Sequence, residues 1–592
     1  MNVTAINHRF ISSRKRLSSS SLTSETVNCD DSVSLNSLEE GRGCGDYAAL
    51  NKPLLMETPA AMSRTWMDFI LEPTISKGRF SVPLQSEARP WLKYLILLPM
   101  CTFSYMLFFS YYWAPLLVKN GALQFFENLL RMNQFTMLLL GALVALGVAC
   151  DVIADITTGI MLLRGRRRRH LPDHIPRLTH AVIVCNYKEP LETLRATIQS
   201  IADNTLADNT IVVLACEERD PTANSTFQCL DQEFASSFCA FFKTSHKLAE
   251  GEIIGKSSNE NFACQELFKF VQQQGMDPFQ VMVTTCDADS LFDRVFFEQV
   301  EAEYCRMPDG RRFIYNSPIN TYRNLPECNG LVRAFEVLRC QFDTFNGMTG
   351  FRPAQSNYSL TLGFAHEMNF WDPSNTSEDF HTTLKAMAMT GLGESVVVKV
   401  WSLILNDSVT GFQDRWIQAK RHMWGIEEAA FVASLFPVIR LNQWLVMFGR
   451  VCSQMFGVCI PLFLYFLFRP IRDIFFALGP ETQYLIVGSY LAVTLYNWVK
   501  MIIRELFLYR YILSGRSLMM KRSLGEWLQL IFFWPVMVQV ASIIFATCAT
   551  WRMLIHAVFH ETLTYVTAPK ALNTLTVTHA NDTGDVKPKK GI

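Results

Sequence analysis

The sequence predicts an α/β domain inserted between membrane-spanning helices, and three observations carry that expectation. Uncharged runs long enough to cross a bilayer gather near the two ends of the 592-residue chain. Between them, short β-branched runs alternate with stretches of helical spacing. The strand-like runs end in acidic residues, where ligands of a parallel sheet bind. Composition agrees, since charged residues make up only 18% of the chain, below the quarter or so usual in soluble proteins. Lys+Arg and Asp+Glu balance at 54 each, so no basic field exists to hold nucleic acid. The 16 cysteines include no CxxC pair, which points to reduced cytosolic thiols.

Residues 1–90 read as a Ser-rich cytosolic head (Ser12 to Ser37) with a candidate interfacial segment and no signal peptide. Two spans follow within 91–163: Leu95–Val118, an uncharged run of 24, and Phe135–Leu163, against a requirement of about 20 helical residues. The basic cluster Arg164 to Arg169 directly follows the second span and places that end in the cytosol. The segment 431–555 supplies an interfacial stretch and three further spans, Val451–Phe468, Tyr484–Val499 and Trp527–Trp551, with a basic loop read from Arg504 to Arg522. In the polar tail, 556–592, the Asn581 sequon and the terminal Lys589-Lys590-Gly-Ile are signals for opposite sides of the membrane. A multi-pass protein of the endoplasmic reticulum, Golgi or plasma membrane is expected, with residues 178–430 in the cytosol.

Within 178–430, Thr179–Cys185 and Thr210–Ala215 read as strands, Leu191–Ile201 as a helix and Gln280–Thr285 as a third strand. This alternation predicts a largely parallel sheet with helices on both faces. The strands are followed by Asn186-Tyr187-Lys188-Glu189, by Glu217-Glu218-Arg219-Asp220, and by Asp287-Ala288-Asp289. Carboxylates at i and i+2 suit a Mg²⁺ or Mn²⁺ ion that bridges a diphosphate. Gly251 to Ser257 is one residue short of a phosphate-binding P-loop. No β-rich run is expected before it, because Phe241–Leu248 carries Lys243, His246 and Lys247. Gly255-Lys256 reads instead as a loop offering an ammonium to a diphosphate or sugar. Ser377-Glu378-Asp379-Phe380-His381 opens a helical stretch, and Gln418-Ala-Lys-Arg421-His422 lies in a basic segment with Trp416 and Trp424.

Together and in this order, these motifs resemble the membrane-embedded family-2 glycosyltransferases, which include cellulose, chitin and hyaluronan synthases and ceramide glucosyltransferase. The resemblance covers residues 178–430 and the flanking arrangement of spans. It implies a GT-A-type, Rossmann-like cytosolic domain and an inverting hexosyl transfer from a nucleotide-sugar, a UDP-sugar by preference, to a lipid or glycan acceptor at the membrane. Asp287 and Asp289 match the DxD that holds Mg²⁺ or Mn²⁺, and Glu378-Asp379 match the TED carboxylates, with Asp379 as catalytic base. Tyr187, Glu189, Glu217, Lys256, Gln418 and Arg421 are implied on the nucleotide-sugar, and Glu378, His422 and Trp424 on the acceptor. Two positions depart from the pattern: Glu217 or Glu218 stands where the family has Asp, and His422 replaces a Trp that supports the acceptor sugar. Loss of that indole predicts a short, lipid-linked product unless Trp416 or Trp424 substitutes. The alternatives are a processive polysaccharide synthase that also translocates its product and, from another class, a transporter with a cytosolic regulatory domain. Five spans without an internal repeat disfavour the transporter.

Overall fold

The computed structural model describes residues 134–165, 177–346, 353–422, 426–436, 439–456, 469–514 and 523–559, with a few isolated positions between 116 and 125. The expected spans at 95–118 and 451–468 and the tail signals fall largely or wholly outside these residues.

The central sheet runs β3 (Ala240–His246), β2 (Thr210–Glu217), β1 (Thr179–Asn186), β4 (Val281–Cys286), β8 (Tyr358–Thr361), β6 (Ile314–Asn316), β9 (Val397–Lys399). Strands β3, β2, β1 and β4 are parallel; β8 runs antiparallel to both β4 and β6. β6 and β9 pair in parallel and run in the direction of the first four strands, so the sheet is largely parallel, as expected, with β8 alone reversed. A smaller sheet joins β5 (Leu291–Phe292), β10 (Ile404–Leu405) and β7 (Ile319–Asn320).

Helices cover both faces, which is why β1 and β2 are almost continuously apolar. In β1, Ala181 and Ile183 enter one core while Val182 and Val184 enter the other. The helix Leu191–Ala202 buries Leu194, Thr197, Ile198 and Ile201, one face at helical spacing. β3 was not expected. It lies at the sheet's edge, where one face meets solvent, so its Lys243 can extend to Asn224 Oδ1 at 2.5 Å. That half-polar pattern hides a strand from any search for apolar runs.

Three helices are long and apolar enough to cross a membrane among the described residues: Leu146–Arg164, Thr482–Tyr511 and Val536–Met553. The second lies within one continuous helix, Pro480–Ser514. Arg504 and Arg510, expected in a loop, are thus helical. The reason is charge compensation: Arg504 forms a two-pronged pair with Asp155 at 2.6 and 2.7 Å, both side chains buried. Lys500 and Tyr496 both bond Asp151 one helical turn away. Groups at i and i+4 on one helix so meet groups at i and i+4 on the other.

The same helix is also tied to the sheet domain. Glu505 Oε2 accepts from Tyr322 Oη at 2.6 Å and from Gln341 Nε2 at 2.9 Å. Tyr511 Oη accepts from the Leu403 backbone N–H at 3.0 Å. Tyr322, Val332, Leu508, Tyr511 and Phe545 share one apolar core, so the membrane-length helices and the domain are packed together.

Gly159 sits where the two charged helices approach most closely, since a Cβ there would meet the Phe507 ring at 2.4 Å. Gly159→Leu is expected to lower the thermal stability of the purified protein by about 1–3 kcal/mol, the usual cost of overpacking. Gly147→Leu, where a Cβ meets nothing within 4 Å, serves as the control and should leave the melting temperature unchanged.

Candidate functional site

A cavity of ≈ 540 Å³ opens beyond the carboxyl ends of β1, β2 and β4, the position that a parallel sheet makes available to ligands. Every expected site residue that the structure describes lines it: Tyr187, Glu189, Glu217, Lys256, Asp287, Asp289, Glu378, Asp379, Gln418, Arg421 and His422. Trp424 lies outside the described residues. Trp416, the alternative support for an acceptor sugar, is not in the cavity wall. It packs beneath the Arg552 guanidinium, 5.2 Å from its ring centre, against the C-terminal helices.

At the tip of β1 the chain turns through Lys188 with φ 56°, a left-handed conformation that a non-glycine side chain adopts at a cost. The Asp220 carboxylate stabilises the turn, accepting from the Lys188 N–H at 2.9 Å and from the Thr222 N–H and hydroxyl at 2.9 and 2.7 Å. Burial works to raise Asp220, but these hydrogen bonds outweigh it and hold the carboxyl below its ordinary value. The strained turn presents Tyr187 beside the Arg219 guanidinium, 5.1 Å from the ring centre, and Arg219 also bonds Glu217. A ring, a guanidinium and a carboxylate thus cluster at the tips of β1 and β2.

Lys256 opens the helix Lys256–Gln273 directly after Gly255, whose φ of 151° is open to glycine alone. Its Nζ donates to the Ser356 carbonyl at 2.6 Å and pairs with Asp287 at 3.0 Å, Glu378 at 3.1 Å and Glu260 at 3.4 Å. Burial alone would discharge it, yet the three carboxylates hold it protonated, well above the ordinary lysine value. Glu260, fully buried beneath it, is pushed the other way by desolvation, toward the neutral acid.

The two aspartates after β4 are scaffolded by side chains from distant segments. Asn357 accepts from the Asp287 N–H at 2.9 Å, and Asn406 donates to Asp287 Oδ2 at 3.1 Å. Asp289, 1% exposed, accepts from the Asp407 N–H at 2.9 Å, and Arg323 pairs with Asp407 at 3.1 Å. Asp287, Asp289, Asn406 and Asp407 all line the cavity and supply only hard oxygen donors on their acidic and carbonyl groups. No cluster of three or more His, Cys, Asp or Glu side chains is placed to hold an ion alone, among the described residues.

Asp379 lies in the first turn of the helix Glu378–Thr390. Desolvation and the adjacent Glu378 carboxylate push it up to about 7, against the opposing pull of Lys256. A carboxyl in that range exchanges a proton near neutral pH.

The opposite wall holds residues that the sequence reading missed. The helix Gly330–Gln341 contributes Phe335 and Arg339, and the helix Phe412–His422 contributes Arg415 beside Gln418, Arg421 and His422. Buried Glu336 binds Arg339 at 2.8 Å and Arg415 at 2.9 Å, and Arg415 donates to Gln418 Oε1 at 2.6 Å. Burial works to raise Glu336, but the two guanidiniums outweigh it and bring it down to about 2. Phe545, from the C-terminal membrane-length helix, also lines the cavity. The only signal for Asn406-Asp407 is an acid after a strand of two residues, too short to detect. Arg415, one turn before the Gln418 motif, had no signal that set it apart from its basic neighbours.

Residues 282–565 match the family model described as glycosyl transferase family group 2. The match starts in β4 and includes both aspartates, Asp379, the Gln418 to His422 segment and two of the three membrane-length helices. No curated relative matches the chain. Among solved structures, a mannosyltransferase from Pyrobaculum calidifontis in complex with GDP-Man and Mn²⁺ is 11% identical, with a TM-score of 0.34 over 62% of this chain and 96% of that one. Residues 1–349 of TarS from S. aureus are 11% identical, with a TM-score of 0.30 over 56% of this chain and 88% of that one. Residues 282–565 are thus similar to glycosyl transferase family group 2, and the protein is an enzyme, a glycosyltransferase.

Glu336→Gln would leave buried Arg415 without its counter-charge and Arg339 with Asp343 alone, and an uncompensated buried charge typically costs about 3–5 kcal/mol. Chemical denaturation should show that loss at neutral pH. Because the native pKa lies below the unfolded value of 4.5, the carboxylate's contribution is complete above that pH and declines as pH falls toward 2. The stability gap between wild type and Glu336→Gln should therefore narrow below pH 4.5.

Proposed function

We propose that this glycosyltransferase is membrane-integrated and inverting, and moves a sugar from a nucleotide-sugar donor, by preference a UDP-sugar, to a hydroxyl of a lipid or short glycan acceptor. The observation that carries the reading is the convergence of Asp287, Asp289, Lys256 and Asp379 on one cavity at the sheet's carboxyl edge, roofed by a membrane-length helix. The domain spans residues 178–430 in this reading and faces the cytosol, with the spans on either side of it.

Tyr187, Glu189 and Glu217 receive the nucleoside at the tips of β1 and β2. Asp287 and Asp289 would hold a Mg²⁺ or Mn²⁺ ion, which when bound offsets charge on the diphosphate leaving group. Two aspartates are too few to cage the ion, and this donor set suits one whose other ligands are phosphate oxygens and water. Lys256 and Arg421 bring cationic donors to the diphosphate, and Gln418 positions it. Asp379 takes the proton from the acceptor hydroxyl, whose oxygen attacks the anomeric carbon as the bond to the diphosphate breaks. Glu378 and His422 flank the acceptor. With His422 where a supporting indole would stand, and Trp416 outside the cavity wall, the product is one sugar or a few.

The decisive assay offers UDP-glucose, UDP-N-acetylglucosamine and GDP-mannose with Mn²⁺ to the purified protein in native lipid and reads nucleoside diphosphate release. Release with none of them, across added lipid and oligosaccharide acceptors, would overturn the reading. The products, sorted into lipid extract, soluble oligomer and insoluble polymer, identify the acceptor class.

Asp379→Asn should cut transfer by about 10²–10⁴-fold, the usual contribution of a general base, while UDP binding measured by calorimetry is retained. In the wild type, kcat/KM should rise with pH and level off above about 7, because the base must be ionised to act. Asp289→Asn should instead weaken UDP binding in the presence of Mn²⁺ and leave metal-free binding unchanged. Equal UDP affinity of the wild type with and without Mn²⁺ would remove the metal role from these aspartates.

A further inference from the structure

Behind the cavity, the loop Asp372–Ser377 connects three parts of the site. It anchors the donor side, since Ser257 next to Lys256 donates to the Asp372 carbonyl and the Ile253 N–H donates to the Pro373 carbonyl at 2.9 Å. It leads directly into Glu378 and Asp379. Its third attachment is to the helix Ile426–Ser434, which begins four residues after His422. That attachment is entirely polar and entirely buried.

His381, one turn into the Asp379 helix, places Nδ1 3.0 Å from Glu428 Oε2. Asn375 donates to the other oxygen of Glu428 at 2.8 Å and also accepts from the Ser377 N–H at 2.7 Å. The second ring nitrogen of His381 lies 3.5 Å from Asp372 Oδ2, and the ring packs on Phe431 at 4.5 Å between centroids. His381, Asp372 and Glu428 are each no more than 1% exposed. A carboxylate taken that far from water keeps its charge only if a partner and hydrogen bonds replace hydration. Such a contact has one arrangement that satisfies it, which makes it a geometric constraint more than a source of net stability.

We propose that His381 and Glu428 are positioning residues for the transfer reaction, locking the helix that carries Asp379 to the helix that follows the Gln418 to His422 wall. Neither side chain lines the cavity among the described residues, whereas Asn375 and Asp379 do. They act through the orientation of Asp379 toward the acceptor. The donor side keeps its own supports, Lys256, Asp287 and Asp289, on other elements. Loss of the lock should therefore lower turnover and leave nucleotide binding in place, as expected when reacting groups are misplaced by a fraction of an ångström.

This inference rests on Asp379 acting as the base, so Asp379→Asn is measured in parallel. Full-length His381→Gln, Glu428→Gln and the double variant, in native lipid, are assayed with UDP-glucose, UDP-N-acetylglucosamine and GDP-mannose plus Mn²⁺, and UDP and GDP affinities are measured by calorimetry. Each single variant should lose about tenfold or more in kcat with nucleotide affinity within about twofold of wild type. The double variant should be no worse than the poorer single, because contacting residues that act as a unit are not additive. Wild-type kcat in folded single variants, or nucleotide affinity falling in step with kcat, overturns the proposal. If Glu428→Gln fails to fold, Asn375→Ser, which removes one Glu428 bond and leaves the His381–Glu428 contact itself, carries the same comparison, and unchanged kcat there overturns it. Activity retained by Asp379→Asn would instead reject the base assignment itself, so the two failures are distinct.

Discussion

One ammonium group balances the donor half of the cavity. Lys256 Nζ is reached from the end of β4 by Asp287, from the start of the Asp379 helix by Glu378, from its own helix by Glu260, and from the segment before β8 by the Ser356 carbonyl. Without it, carboxylates from three elements would face one another across a desolvated space, and their repulsion would open the site or force protons onto them. The opposition of desolvation and charge explains why Glu260 and Asp379 are both raised while the lysine stays charged. It also sets the chemistry of ligand entry. In the proposed reaction a divalent cation held by Asp287 would compete with Lys256 for that carboxylate, and a diphosphate would offer the ammonium another anionic partner.

The same kind of constraint recurs on the opposite wall of the cavity with the signs exchanged. There Glu336 bridges Arg339 and Arg415, and Asp343 pairs with Arg339 from one turn further on. Each wall therefore relies on buried ions held against groups of opposite charge, Lys256 among three carboxylates on one and Glu336 with Asp343 against two guanidiniums on the other. Side chains of this kind contribute little net stability against apolar replacements, but they tolerate few alternative arrangements.

How much of this was legible in the sequence depended on whether a signal was local. Strands β1, β2 and β4 were readable because both of their faces are covered and their apolar runs are uninterrupted. The edge strand β3 was not, since its solvent face carries Lys243 and Ser245. The short β8, β6 and β9 offered too few residues to show a period. Acidic tips after the readable strands led to Glu189, Glu217, Asp287 and Asp289, because the topology of a parallel sheet brings those tips together, whereas Lys256, Asp379 and Arg421 were read from motifs elsewhere in the chain. Asn357, Asn406, Asp407 and Arg415 reach the site from segments with no strand or motif of their own. Their place follows from tertiary contacts, which one sequence does not display. Arg504 was misread for a related reason: a basic residue suggests a loop unless the partner that neutralises it, Asp155, is seen 349 positions away.

Those distant pairs bear on what the catalytic unit is. Glu505 is adjacent to Arg504 and accepts from Gln341, on the helix whose Phe335 and Arg339 line the cavity. The helix Pro480–Ser514 is thus held to the helix of residues 134–165 by Arg504 and to the cavity wall by Glu505. On the other side, Phe545 enters the wall from a third membrane-length helix and packs on Phe335 and Phe412 at 5.5 and 5.2 Å between centroids. A soluble domain merely tethered to a membrane would need neither contact. Here the removal of the helices would expose Phe335, take Glu505 away from Tyr322 and Gln341, and leave that wall of the cavity without its outer layer. The extent of the family match agrees, since it runs from β4 through the helix bearing Phe545 to residue 565 rather than stopping where the sheet ends. The membrane-length helices are therefore structural members of the cavity wall that carries Phe335 and Arg339, and a form of the enzyme cut back to the sheet domain would lack that wall.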